Sequence, residues 1–166
     1  MKPLIAIFGA AAVTLAAGQA MAQMSPADKT FVTKAASGGL AEVALGQVAT
    51  QKASDPKVRQ FGQQMVTDHT QANQELQQIA KQQQMAIPAK PESAETAKQQ
   101  RLEAMKGSSF DAAYMKDMVQ DHQQDVADFR QEAETGQNPA LKGFAQKYLP
   151  VLEHHLQMAQ TTAAEK

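Results

Sequence analysis

The chain has no cysteine and no tryptophan, and only 5% of its residues are aromatic. Without cysteine there is no disulfide framework, thiol nucleophile, thiolate zinc site, c-type haem attachment or lipid-modified N-terminal cysteine. An excess of one charge is also missing. Lys plus Arg number 16 against 17 Asp plus Glu, a formal net charge of -1, and the basic residues are scattered. That is no footprint for nucleic acid or for an anionic membrane surface. No stretch alternates apolar and polar residues for long enough to make a strand, so an outer-membrane barrel is excluded. There is no Ser–His–Asp elbow and no Gly-rich phosphate loop. No reaction is legible, and a binding or structural role is expected before an enzymatic one. At 166 residues the chain has room for one core.

What is present begins with an address. Lys2 is followed by an apolar run from Leu4 to Ala17, and Ala20-Met21-Ala22 puts small residues where signal peptidase cuts. Residues 1–22 are therefore expected to be a cleavable secretory signal. Residues 23–166 are expected to form a single domain in the periplasm, not inserted in the membrane once the signal is removed. The expected state is a monomer or small homo-oligomer, with no protein partner specified. Because the periplasm permits disulfides, a core without cysteine must hold by packing alone.

Many Ala and Gln with few β-branched residues favour helix. Ser25-Pro26 and Asp55-Pro56 each read as an N-cap followed by Pro at the first helical position. They open long helices running to about Ala53 and Met85. Gly38-Gly39 inside the first should kink it or admit a close neighbour. Two prolines, Pro88 and Pro91, make a connector. Ser93 to Lys106 reads as a short exposed helix on a longer crossover, ended by Gly107. Ser108-Ser109-Phe110-Asp111 resembles a capping box opening a third long helix to about Gly136. Asn138-Pro139 opens a fourth, to about Ala159, with Pro150 inside it. The class expected is all-α, a ferritin-like four-helix bundle with a crossover between the second and third long helices.

Each long helix has an apolar seam at 3.6-residue spacing, and each seam is interrupted once by an ionisable group. These groups are Glu42, His69, His122 and His155 in chain order. His154 adjoins His155 and is the weaker candidate. Asp68 and Asp121 lie at the seam edge beside a histidine, and Asp125 follows His122 by three on the same face. There is an internal echo as well. Phe61 to His69 and Tyr114 to His122 share an aromatic, then Met-Val, then Asp-His, at a constant offset of 53 residues. Unpaired burial of such groups costs several kcal/mol each. Two readings follow. Glu42, His69, His122 and His155, with Asp68, Asp121 and Asp125 as ligands or supports, could hold Fe, Mn, Zn or Cu in the bundle core. Alternatively they form a metal-free hydrogen-bond network that sets helix register in a non-catalytic envelope protein. A further alternative is copper handling, since Met65 and Met118 precede His69 and His122 by four residues and Met158 follows His155 by three. A b-type haem held by Met and His ranks behind these.

A set of positions also resembles a known family. They are Phe31-Val32 with Ala35-Ala36, Glu42-Val43 with Leu45-Gly46, Phe61, Met65-Val66 with Asp68-His69, Leu76, and Pro88. They continue with Phe110-Asp111 and Tyr114, Met118-Val119, His122, Phe129, and Leu149-Pro150 with His155-Leu156. Together they resemble the domain-of-unknown-function family 4142. The resemblance spans about Asp28 to Ala159. It implies a small exported bacterial protein on a ferritin-like bundle, with Glu42, Asp68, His69, His122 and His155 at the family's polar positions. The wider ferritin-like group implies a di-metal carboxylate centre. Here Asp68-His69, Asp121-His122 and Glu153-His154-His155 lack the Glu-x-x-His spacing of such centres, which argues against ferroxidase chemistry.

Overall fold

Helix α1 (Pro26–Lys52) starts at Ser25, whose Oγ accepts the Asp28 N–H at 3.1 Å while Asp28 Oδ2 accepts the Ser25 N–H at 3.2 Å. This reciprocal cap satisfies two backbone donors that a helix N-terminus leaves unpaired. Asp55 caps α2 (Pro56–Gln82) and Asn138 caps the last helix, each ahead of Pro. The remaining elements are α3 (Ser93–Glu103), α4 (Gly107–Thr135) and α5 (Pro139–Ala163). The structure is a computed structural model that describes residues 24–166. The expected signal segment, residues 1–22, lies outside the described residues.

Contacts at the helix ends give the chain direction. Gln137 N–H donates to Asp28 Oδ1 at 3.0 Å, which puts the end of α4 beside the start of α1. Asp111 accepts the N–H groups of Ser54 and Asp55, each at 3.0 Å, and the Ser54 hydroxyl, which puts the start of α4 beside the α1–α2 junction. Lys57 pairs with Glu165 at 2.7 Å, which returns the end of α5 to that junction. Helices α1 and α5 therefore run one way, α2 and α4 the other. Helices α1 with α2 and α4 with α5 pack as antiparallel hairpins, and the hairpins meet through α1 against α4 and α2 against α5. Two parallel middle helices require a crossover along the bundle's length. Helix α3 makes it, tied to Ser37 by the Glu92 N–H at 2.9 Å and to Lys52 through the Glu103 carbonyl at 2.6 Å. The all-α bundle with a crossover between the second and third long helices is thus realised. None of the described helices is long and apolar enough to cross a membrane.

Two local expectations are corrected. Ser108-Ser109-Phe110-Asp111 does not cap α4, which starts two residues earlier, from Lys106, without a side-chain cap. Asp111 is recruited instead by the α1–α2 junction, where three donors need an acceptor and burial makes each worth more. Gly38-Gly39 leaves α1 continuous. A Cβ at Gly39 would stand 2.1 Å from Asn73 Oδ1 of α2, so this glycine serves close approach. Gly46 and Gly62 do the same one crossing further on, each needing its missing Cβ to admit the other's carbonyl.

The apolar core is two clusters. Leu45, Phe61, Met65, Leu102, Phe110, Tyr114 and Met118 belong to the one nearer the α1–α2 junction. Phe31, Leu76, Val126, Phe129, Leu141, Phe144 and Leu152 form the other. In every long helix the break between clusters falls at a buried polar residue: Glu42, His69, His122 and His155.

Candidate metal centre

His69 on α2, His122 on α4 and His155 on α5 meet inside the bundle, between the two apolar clusters. They are 6%, 0% and 1% exposed. Their ring centroids stand 5.7, 5.5 and 5.4 Å apart, and one nitrogen of each ring lies within 4.8 Å of one on each of the others. Three seams at 3.6-residue spacing, on helices of known direction, put these side chains at one level. Phe61 of the adjoining cluster stands edge-on to the His122 ring at 6.2 Å.

Hydrogen bonds assign the proton on two of the three rings. His122 Nδ1 lies 2.9 Å from the Met118 carbonyl, which only accepts, so Nδ1 holds the proton and Nε2 the lone pair. His155 Nε2 lies 2.7 Å from Asp68 Oδ2, so that nitrogen donates and Nδ1 holds the lone pair. Asp68 also accepts from Gln64 Nε2 at 2.7 Å. The remaining nitrogens, His122 Nε2 and His155 Nδ1, are buried without a partner, and so is His69 Nε2. Burial keeps all three rings neutral. It lowers His69 well below its ordinary value, with help from the neighbouring histidines, and lowers His122 to about 4. His155 is also lowered by burial, against the opposing pull of Asp68. Neutral imidazoles, two of them with the proton fixed on the nitrogen that is hydrogen-bonded, are in the protonation state a metal needs. An ion equidistant from three atoms 4.8 Å apart would sit about 2.8 Å from each. Closure of under about 1 Å then reaches bonding distances of about 2.0–2.1 Å.

The other sequence candidates separate from this cluster. Asp68 backs His155 as a carboxylate support. Glu42, 3% exposed, shares a different cleft with Asp121 and Asp125, between α1, α3 and α4. Asp125 also borders a small cavity of about 30 Å³ beside Asp68, His69 and His155, room for about one water. His154 is exposed. Met65 and Met118 are fully buried in the adjoining apolar cluster, and Met158 packs against it. Sequence reasoning passed over Lys98 of the crossover helix, which reaches Asp121 at 2.7 Å. Its signal was only an i,i+3 pairing with Glu95 on a helix read as plain surface.

The model of the DUF4142 family, a domain of unknown function, matches residues 13–162 of this sequence. The chain belongs to the DUF4142 family. No curated protein matches it. Among solved structures, this DUF4142 chain is similar to a DUF305 fragment from Deinococcus radiodurans, at 12% sequence identity with a TM-score of 0.74. The match covers 86% of this chain and 99% of the other. At that identity it shows a shared helical-bundle fold.

Proposed function

We propose that this DUF4142 protein is an exported, non-catalytic binder of one transition-metal ion, held by His69, His122 and His155 in the middle of the bundle. The observation that carries the reading is a set of three buried imidazoles from three helices, close enough for ring nitrogens to lie within 4.8 Å of one another, each with a buried nitrogen that has no hydrogen-bond partner. A metal-free network would pair such groups, because an unpaired buried acceptor costs roughly 1–3 kcal/mol. Two of the rings, His122 and His155, instead spend their protons on the Met118 carbonyl and on Asp68. That is the usual arrangement of metal-bound histidines, whose second nitrogen donates to a carbonyl or carboxylate. An all-imidazole donor set suits zinc or copper, and also iron or nickel. Asp68 supplies negative charge through His155 and offsets part of the ion's charge. Export is read from the N-terminal sequence pattern, and the periplasm is the compartment it implies.

Calorimetric titration of chelator-treated protein with Zn²⁺ and Cu²⁺ tests the reading. One ion per chain is expected for the native sequence, with binding weakened at least a hundredfold in His122→Ala. Absence of stoichiometric binding by the native chain would leave the hydrogen-bond network as the better account.

A further inference from the structure

We propose that the cleft between α1, α3 and α4 is a second, separate cation site, taking a hard divalent cation of the calcium–magnesium class on Glu42 and Asp125, with waters completing its shell. Its ligands are all oxygens, whereas the bundle centre offers only nitrogens, and the two donor sets select different ions.

Three observations carry it. The cleft has a volume of about 180 Å³, room for an ion that keeps several waters. Glu42 lines it and is 3% exposed, yet its Oε2 has no hydrogen-bond partner among the described residues. A buried, unpaired carboxyl oxygen on a residue that lines a polar cleft is not a solvated surface group. Finally, the nearby lysines are already engaged. Lys34 holds Asp128 at 3.0 Å, and Lys98 holds Asp121 at 2.7 Å and Glu95 at 3.0 Å. No lysine among the described residues forms an ion pair with Glu42 or Asp125, so these two carboxyls lack a direct cationic partner.

The electrostatics agree with that geometry. Glu42 is pushed well above its ordinary value by burial and then by the charges of Asp121 and Asp125. Asp125 is raised to about 7 by burial and by Asp121, Asp128 and Glu95. A dication in the cleft would return both to carboxylates. Among the described residues only the three histidines close as a group of three to within one coordination sphere, so the cleft carboxyls do not surround an ion by themselves. A magnesium-like ion bound through one or two carboxylates plus waters meets that condition.

The test uses Mn²⁺ as the probe on the His122→Ala full-length chain, from which the central site has been removed. The electron paramagnetic resonance signal of free Mn²⁺ reports binding. One Mn²⁺ per chain is expected, displaced by excess Ca²⁺ or Mg²⁺. At least tenfold weaker binding is expected when Glu42→Gln or Asp125→Asn is added, with circular dichroism showing the helices intact. Absence of Mn²⁺ binding in the His122→Ala chain overturns the proposal. So does binding that survives both carboxyl substitutions together. Failure of the central histidine site leaves this test unaffected, because the two sites share no ligand.

Discussion

The histidine cluster and the acidic cleft both bury ionisable groups in one bundle, and they resist ionisation in opposite senses. In the cluster, burial holds His122 near 4, against an ordinary value of 6.5. The unfolded chain takes up that proton first, so this contribution to stability is complete above about 6.5 and is lost as pH falls toward 4. In the cleft, Asp125 is raised from 3.8 to about 7. Here the folded chain keeps a proton that the unfolded chain releases, and stability is lost as pH rises from about 4 through 7. Acid stresses one region and base the other. A bound cation would relieve the acidic cleft directly, and at the cluster it would fill the lone pairs that protons cannot reach. The contrast shows that burial alone does not make a site. The polarity of the unmet group decides what could meet it.

Replacing a ligand should break the comparison most severely. His69→Ala or His122→Ala should abolish transition-metal binding at the bundle centre, a loss of at least a hundredfold read by calorimetry. Mn²⁺ binding in the cleft should be unaffected. Next, Asp68→Asn removes the acceptor behind His155 Nε2. Metal affinity should fall about 10–100-fold, the usual effect of losing such a support, with the fold retained by circular dichroism. A smaller effect sharpens the cleft. In chelator, Asp125→Asn should raise Tm relative to the native chain by a few degrees at pH 8 and by less at pH 5, because Asn cannot ionise. Glu132 provides a comparison outside both regions. It is 4% exposed and raised to about 7 by burial and then by Asp28. Glu132→Gln should give the same sign of Tm change between pH 5 and pH 8, without altering the binding of either ion.

Much of this could be read from the chain. Caps at Ser25, Asp55 and Asn138 and the 3.6-residue seams are local signals, so four long helices followed directly. The three histidines were found because each breaks a seam near mid-helix, and helices of similar length in register bring mid-helix positions to one level. Glu42 breaks its seam in the same way, yet it belongs to another site. Seam position says that a side chain points inward. It does not say which neighbouring helix that side chain faces, and Glu42 turns toward α4 and the crossover helix. Asp111 illustrates the complementary limit. Its sequence context is that of a capping box, but the donors it serves, Ser54 and Asp55, are more than fifty positions away. Lys98 was hidden for the same reason, since a lysine on a polar helix gives no hint of a partly buried carboxylate partner on α4.

The central claim is that three imidazole nitrogens bind one ion. X-ray absorption spectroscopy of the Zn²⁺-loaded protein tests it most directly. The account predicts imidazole scattering from about three nitrogen ligands near 2.0–2.1 Å, with a light atom completing the shell. A shell made only of oxygen, or one containing sulfur from Met65 or Met118, would contradict it.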